Sequence, residues 1–263
     1  QCMKQFLFCL CLLLLLSSCS TNKNSDLPEQ LRLNLGAEPS ILNPLLSTDA
    51  TSSSITGKIF NGLVRINEDL EIEPDLATTY NISEDGLVYT FTLRDDVTWH
   101  DGIPFSGEDV LFTYEKILDP TTNTVRRRGY VYEGKSVVFE LIDAYTFRAT
   151  LPIPFAPFLD KMGMDIIPKH IYEDEDINRS SYNRDPIGTG PYKFKLWKPG
   201  QYVILEKNDN YYHGVPKTNT IINKIILDPQ AGLISLKKEE LDLDGIPPKD
   251  VESLRSEEHL DLY

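Results

Sequence analysis

Beyond position 19 the sequence contains no cysteine: all four, Cys2, Cys9, Cys11 and Cys19, lie in the first nineteen residues. The body of the chain therefore has neither a disulfide framework nor a thiolate-ligated metal site. Positive charge is also scarce. Against 40 Asp and Glu the 263 residues carry 26 Lys and Arg, a net charge of −14. So acidic a chain lacks the cations that replace phosphate counterions, which argues against a nucleic-acid partner. The four histidines, His100, His170, His213 and His259, have no i, i+4 partner among themselves, and no His-Glu-x-x-His pattern exists. A Gly-x-Ser-x-Gly elbow and a Gly-x-x-x-x-Gly-Lys loop are both missing. Gly188-Thr189-Gly190 is glycine-rich, but Pro191 follows it and no Lys-Ser/Thr pair does, so it reads as a turn. Paired acids such as Asp95-Asp96 and Glu239-Glu240, and the run from Glu173 to Asp176, suit a solvated face in a chain this acidic. No residue is assigned a catalytic or metal-binding role, no cofactor is expected, and the chain reads as a non-enzyme.

What is present is ordinary globular composition: 41% apolar, 10% aromatic and 25% charged residues. The length suits about two domains and a large core. Near the start, Met3 and Lys4 precede an unbroken apolar run from Phe6 to Leu16. A bilayer-spanning helix needs about 20 such residues, so the run reads as the apolar part of an export signal over residues 3–18. It closes with Leu16-Ser17-Ser18-Cys19, which resembles the lipobox of bacterial lipoproteins. That resemblance implies cleavage before Cys19, acylation of its thiol, and a short polar tether over residues 19–26. At about 0.8 kcal/mol per buried CH₂, several acyl chains would hold the protein on a membrane.

Further along, hydrophobic periodicity sets the expected elements. Leu31, Leu33 and Leu35 alternate with polar residues as a short strand that ends at Gly36-Ala37-Glu38-Pro39. Leu87, Tyr89, Phe91 and Leu93 mark a strand after the turn Glu84-Asp85-Gly86, and Tyr145, Phe147, Ala149 and Leu151 mark another. Ser106-Gly107-Glu108-Asp109 predicts a helix start, with Val110, Leu111, Tyr114, Ile117 and Leu118 on its buried side and an end before Pro120. Tyr202 to Leu205 and Ile221 to Leu227 are further strands by pattern, Ala231 to Leu241 has helical spacing, and Leu260 to Tyr263 looks like a strand. Strands and helices mix without regular βαβ alternation, so the fold class is α/β with mixed α+β sheets. The one basic cluster, Arg126-Arg127-Arg128, reads either as a surface loop or as a contact for an anionic ligand group.

Longer stretches resemble a known family. Glu38-Pro39-Ser40-Ile41-Leu42-Asn43-Pro44 resembles the N-terminal motif of the bacterial extracellular solute-binding proteins of family 5, the dipeptide/oligopeptide type. In order follow Ile59-Phe60-Asn61-Gly62-Leu63-Val64, Glu73-Pro74-Asp75-Leu76-Ala77, Trp99-His100-Asp101-Gly102 and Phe105 to Val110. Pro186-Ile187-Gly188-Thr189-Gly190-Pro191-Tyr192 and Asn210-Tyr211-Tyr212-His213-Gly214 complete the set. Asn43 stands where the family often has Asp, and the family runs considerably longer than this chain.

The resemblance implies a periplasmic-binding-protein type II, or Venus-flytrap, architecture, truncated here before its third domain. Domain I would comprise residues 27–57 and 187–229, domain II the inserted residues 58–186, and residues 230–263 would begin domain III. It also implies capture of di- or oligopeptides between lobes and delivery to an ABC permease with its ATPase subunits, by a monomer anchored in the membrane. A carrier of nickel, haem or oligosaccharide on the same fold remains open, as does a surface lipoprotein that binds a partner without transport. The segment Gly36, Ala37, Glu38, Pro39, Ser40 and Ile41 matches the part that lines the family's cleft, or else is a plain strand-to-turn connection. In the cleft reading Glu38 is the polar contact toward a ligand amine, and Glu38→Ala weakens binding while leaving stability nearly unchanged. Gly188 and Gly190 would give a backbone path that side chains would block.

The signal pattern makes the first prediction. Mass spectrometry of membrane-associated protein should find the N-terminus at Cys19 with a lipid mass added. An unmodified N-terminus at any other residue would remove the assignment.

Overall fold

The computed structural model describes residues 29–255, 257 and 259–261. The export signal, Cys19 and the tether lie outside the described residues. Twelve strands are β1 (Gln30–Asn34), β2 (Val64–Ile66), β3 (Ile72–Pro74), β4 (Ala77–Ile82), β5 (Val88–Leu93), β6 (Val131–Tyr132), β7 (Lys135–Ser136), β8 (Val138–Asp143), β9 (Thr146–Thr150), β10 (Tyr192–Lys198), β11 (Tyr202–Lys207) and β12 (Thr220–Lys224). Six α-helices are α1 (Ala50–Ile59), α2 (Gly107–Leu118), α3 (Phe158–Lys161), α4 (Lys169–Tyr172), α5 (Pro229–Lys237) and α6 (Val251–Leu254).

The elements make two four-stranded sheets from separate stretches of chain. The first has the order β1-β12-β11-β10. In it β1 runs parallel to β12, with Gln30 opposite Thr220, while β10-β11 and β11-β12 are antiparallel. Alternation in β11 buries Val203 and Leu205 completely, and Ile221 of β12 faces the same core. The second sheet has the order β4-β5-β9-β8, all antiparallel. Tyr89, Phe91, Leu93, Phe147 and Ala149 form its buried face.

Helix α2 closes that face. Asp109 accepts the backbone N–H of Ser106 at 2.9 Å, which fixes the first turn as a capping box. The buried Asp109 carboxylate also accepts the backbone N–H of Lys169 at 2.9 Å and the indole N–H of Trp99 at 3.3 Å. Burial raises its pKa above the ordinary carboxylate value, against the effect of these hydrogen bonds. Tyr114 stacks on Phe139 at 4.4 Å and on Phe147 at 5.6 Å, so the helix is seated by rings as well as aliphatics. Gly102, at φ +91°, makes the turn that returns its N–H to Trp99 O at 2.8 Å and leaves Trp99 buried.

Three elements differ from the pattern-based expectation. The strand expected over Ile221–Leu227 ends at Lys224, where Ile225 turns its N–H to Gln201 O and Ile226 bonds to the Asn34 side chain. The helix expected over Ala231–Leu241 starts earlier and stops earlier. Asp228 caps it through the N–H groups of Gln230 and Ala231, Pro229 sits at its first position, and Glu239 at φ +57° lies beyond its end. Leu260 and Asp261 are not in a strand. After α5 the chain instead returns to β1: Asp242 N–H bonds to Arg32 O at 2.8 Å, and its carboxylate takes both Nε and Nη2 of Arg32 at 3.0 and 2.6 Å.

The two sheets are joined where residues 188–190 pass the end of α1. Gly190 N–H donates to Ile59 O at 2.7 Å. A Cβ at Gly188 would stand 1.9 Å from Ile59 O, and one at Gly190 2.6 Å from Ile59 C and Lys58 O. The obstacle is backbone at both positions, so no rotamer change relieves it. Gly57, in the interior of α1, meets nothing within 4 Å. Urea denaturation should therefore find Gly188→Ala destabilised by more than about 3 kcal/mol, with Gly57→Ala stabilised by about 0.5–1 kcal/mol. Equal midpoints for the two variants would show that the crossing is not tight.

Candidate functional site

The crossing is reinforced by a histidine. His100 Nδ1 accepts the Gly188 N–H at 3.2 Å, and Nε2 lies 3.0 Å from Gly190 O. Only the neutral ring with its proton on Nε2 satisfies both contacts. Burial lowers the His100 pKa to about 4, so the ring holds that form at neutral pH. Next to it, Asp75 is buried and accepts from Asn61 Nδ2 at 3.0 Å, the Tyr212 hydroxyl at 2.6 Å and His213 Nε2 at 2.9 Å. Burial together with the Asp75 charge pushes the Tyr212 phenol well above its ordinary value. Thus the segments Glu73–Ala77 and Asn210–Gly214 meet, and the meeting is a fully hydrogen-bonded structural network.

The segment Gly36–Ile41 leads from β1 into α1. Gly36 is at φ +69°, Pro39 is buried, and the N–H groups of Ser40 and Ile41 donate to Ser52 Oγ at 3.0 and 3.3 Å. Asp49 caps α1 by accepting Ser52 N–H at 2.7 Å and also takes the hydroxyls of Ser40 and Ser52. Burial opposes its charge, but those hydrogen bonds outweigh burial and hold its pKa below the ordinary value. Glu38 Oε1 accepts the Trp197 indole N–H at 2.8 Å, and Oε2 accepts the Gly200 N–H at 2.8 Å. The other face of Trp197 carries the Arg184 guanidinium, 3.6 Å from the ring centroid. Glu38 thus ties the β10-β11 turn to the entry of α1.

The arginine cluster is divided by its local geometry. Residues Arg126–Tyr130 form a 3₁₀ turn, in which successive side chains diverge by about 120°. Arg127 points back to the end of α2 and donates to the carbonyls of Ile117 in its last turn, of the capping residue Asp119 and of Thr122 just beyond. Arg126 donates to Pro44 O and Ser47 O, bracing the loop before α1. Arg128 is exposed and makes no hydrogen bond or ion pair with any described residue.

Arg126 and Arg128 share a pocket of about 420 Å³. Its walls are Pro44, Ser47, Ser53 and Thr56 on one side, and residues 125, 126, 128–130, 160, 161 and 163–165 on the other. Short helix α3 presents Asp160 and Lys161 there because Phe158 is fully buried, its ring 4.9 Å from that of Tyr89. Tyr130 OH donates to Lys161 O at 2.7 Å and joins the two sides of that wall. Asp165 lies ahead of the buried pair Ile166 and Ile167, and with Asp160 it also lines a second pocket of about 410 Å³ that includes Arg65 and Asp75. The pocket therefore presents three cationic and two anionic side chains. Residues 36–41 do not line it. Sequence pattern alone missed Asp160, Lys161 and Asp165, since an Asp or an Asp-Lys pair in an acidic chain carries no distinguishing signal. Among the described residues no group of three or more His, Cys, Asp or Glu could hold a metal ion.

Comparison with known proteins agrees with this architecture. Residues 71–263 match the family model of bacterial extracellular solute-binding proteins, family 5, middle part. The oligopeptide-binding protein AppA of Bacillus subtilis is 32% identical over 249 residues, which is 91% of this chain and 45% of that protein. The structure of the same AppA in complex with a nonapeptide superposes with a TM-score of 0.83 at 30% identity, covering 88% of this chain and 47% of AppA. NikZ of Campylobacter jejuni in complex with Ni(L-His) gives a TM-score of 0.81 at 36% identity over 88% of this chain and 46% of NikZ. The chain spans about half the length of the curated relatives it matches.

Glu38 yields a prediction that revises the earlier expectation of unchanged stability. Because both carboxylate oxygens accept hydrogen bonds from the β10-β11 hairpin, Glu38→Ala should cost about 1–3 kcal/mol. Denaturant melts measure it directly, and a midpoint equal to that of the parent would show the two contacts to be idle.

Proposed function

The chain belongs to the bacterial extracellular solute-binding proteins of family 5, and from that premise we propose that it is the peptide-capturing component of an ABC importer. In this reading residues 27–57 with 187–229 form domain I, residues 58–186 form the inserted domain II, and residues 230–263 begin domain III. Cys19 carries the lipid anchor, the protein works outside the cytoplasm as a monomer, and a permease with its ATPases receives the peptide. The observation that carries the proposal is the mixed-charge pocket between the α1 loop and the inserted sheet. Arg128 there makes no ion pair with any described residue, which leaves it open to a ligand carboxylate. Arg126, braced by two carbonyls, sets the field and the wall. The segment Gly36–Ile41 borders the entry to α1, where an extended peptide would lie by main-chain pairing.

The 36% identity to NikZ favours a second reading, a metal chelate carrier. With no protein group able to hold a metal among the described residues, the ion would arrive with its own organic ligand, whose carboxylate Arg128 would meet.

Calorimetry with short synthetic peptides tests the choice. Peptides with a free C-terminal carboxylate should bind about ten- to a hundredfold more tightly than their amides, and Arg128→Ala should erase that difference. Arg127→Ala should lower stability and keep the difference. Binding of Ni(L-His) without any peptide binding would replace the peptide reading by the chelate one.

A further inference from the structure

Asp165 stands apart from the other buried or half-buried carboxylates of this chain. Asp75 accepts three hydrogen bonds, Asp109 four, and Asp49 three. Asp165 is half-buried and makes no hydrogen bond or ion pair with any described residue. Its position is fixed by the chain that follows, where Ile166 N–H donates to Asn61 O at 2.9 Å and Ile166 and Ile167 are fully buried. The nearest cation, Arg126, has spent donors on Pro44 and Ser47. Asp75, also charged, lies on the side of the second pocket and repels it. Burial, with that repulsion, raises the Asp165 carboxyl to about 7 against the opposing attraction of the Arg126 charge. Its carboxylate oxygens stay open to the pockets, and the surrounding backbone holds them at a wall common to both.

We propose that Asp165 is the specificity residue that reads a cationic group of the ligand, an ammonium or guanidinium, in the pocket that Arg128 also lines. The inference rests on the peptide reading and adds a sign to it: the ligand carries positive charge toward Asp165 and negative charge toward Arg128. Three facts carry it. The pocket has charges of both signs, they are not paired with one another as salt bridges, and the one half-buried carboxylate in the pocket accepts no donor from the described chain. A ligand cation would supply the missing donor and hold the acid ionised. The cation has two possible sources in a peptide, the terminal amine and a basic side chain, and both present the same N–H donors.

The test compares three synthetic peptides of one length: a free-amine peptide without basic residues, its N-acetyl form, and an N-acetyl form with one lysine. Each is titrated calorimetrically into the wild type, Asp165→Asn and Asp95→Asn. Asp165→Asn keeps the shape of the side chain and removes a half-buried charge, so its melting temperature should equal or exceed that of the wild type. It should bind at least one of the two cationic peptides about ten- to a hundredfold more weakly, and leave the uncharged N-acetyl peptide unchanged. Loss confined to the free-amine peptide identifies the terminus as the source, and loss confined to the lysine peptide identifies the side chain. Asp95→Asn, an exposed acid that lines neither pocket, should change none of the three by more than about twofold. Wild-type peptide binding that is equal in Asp165→Asn for every peptide overturns this inference and leaves the peptide reading standing. A uniform loss for all three overturns it as well, since Asp165 would then shape the pocket and not read charge. Failure of the wild type to bind any peptide overturns the peptide reading and this inference with it.

Discussion

The close passage of residues 188–190 over the end of α1 is the constraint on which the rest of the structure depends. Two backbones meet there at a separation that excludes a Cβ. The main-chain hydrogen bond from Gly190 to Ile59, and the two contacts of the neutral His100 ring, fix the angle at which one sheet leaves the other. Hydrogen bonds of this kind contribute about 1 kcal/mol each, but their number and burial give the junction one arrangement. Every residue of the mixed-charge pocket inherits its position from that junction. Ser53 and Thr56 come from the helix that ends at the crossing, and those between 125 and 165 come from the unit inserted after it.

The chemistry of the pocket follows from which charges are already used. The chain is strongly acidic, and most of its well-ordered ion pairs and capped carboxylates close locally, as in Arg94 with Asp96 or Arg65 with Glu73. Exposed pairs of this type add little stability, at most about 1 kcal/mol. Their effect at the pocket is indirect: Arg127 is consumed by a helix end, while its neighbour Arg128 is left to solvent. A pocket that concentrates unspent groups of both signs favours ligands that are themselves zwitterionic.

Much of the fold was legible because its signals are local. Period-two alternation placed β5, β9 and β11, and the Ser106–Asp109 capping box placed α2, since each requires only residues within a few positions of one another. The glycines at 188 and 190 were legible as a backbone requirement, but their partner Ile59 was not, because nothing local encodes a contact across about 130 residues. The same holds for Glu38, whose segment was singled out and whose acceptors serve Trp197 and Gly200, 159 and 162 positions away. The arginine run was visible as a cluster, and its division among three directions depends on a 3₁₀ turn that the pattern did not signal. Asp165 had no signal at all: it is one of 40 acids, distinguished only by what the folded chain withholds from it.

The parallel pairing of β1 with β12 has a consequence in time. Thr220 follows its partner Gln30 by 190 residues. At a synthesis rate of about 5–20 residues per second, β1 waits about 10–40 s before its neighbour exists. The antiparallel sheet of the inserted unit draws all its strands from residues 77–150 and can pair long before then. The first strand made is therefore among the last to be housed, and a chain arrested anywhere before residue 220 exposes Leu31 and Leu33 as an unpaired template.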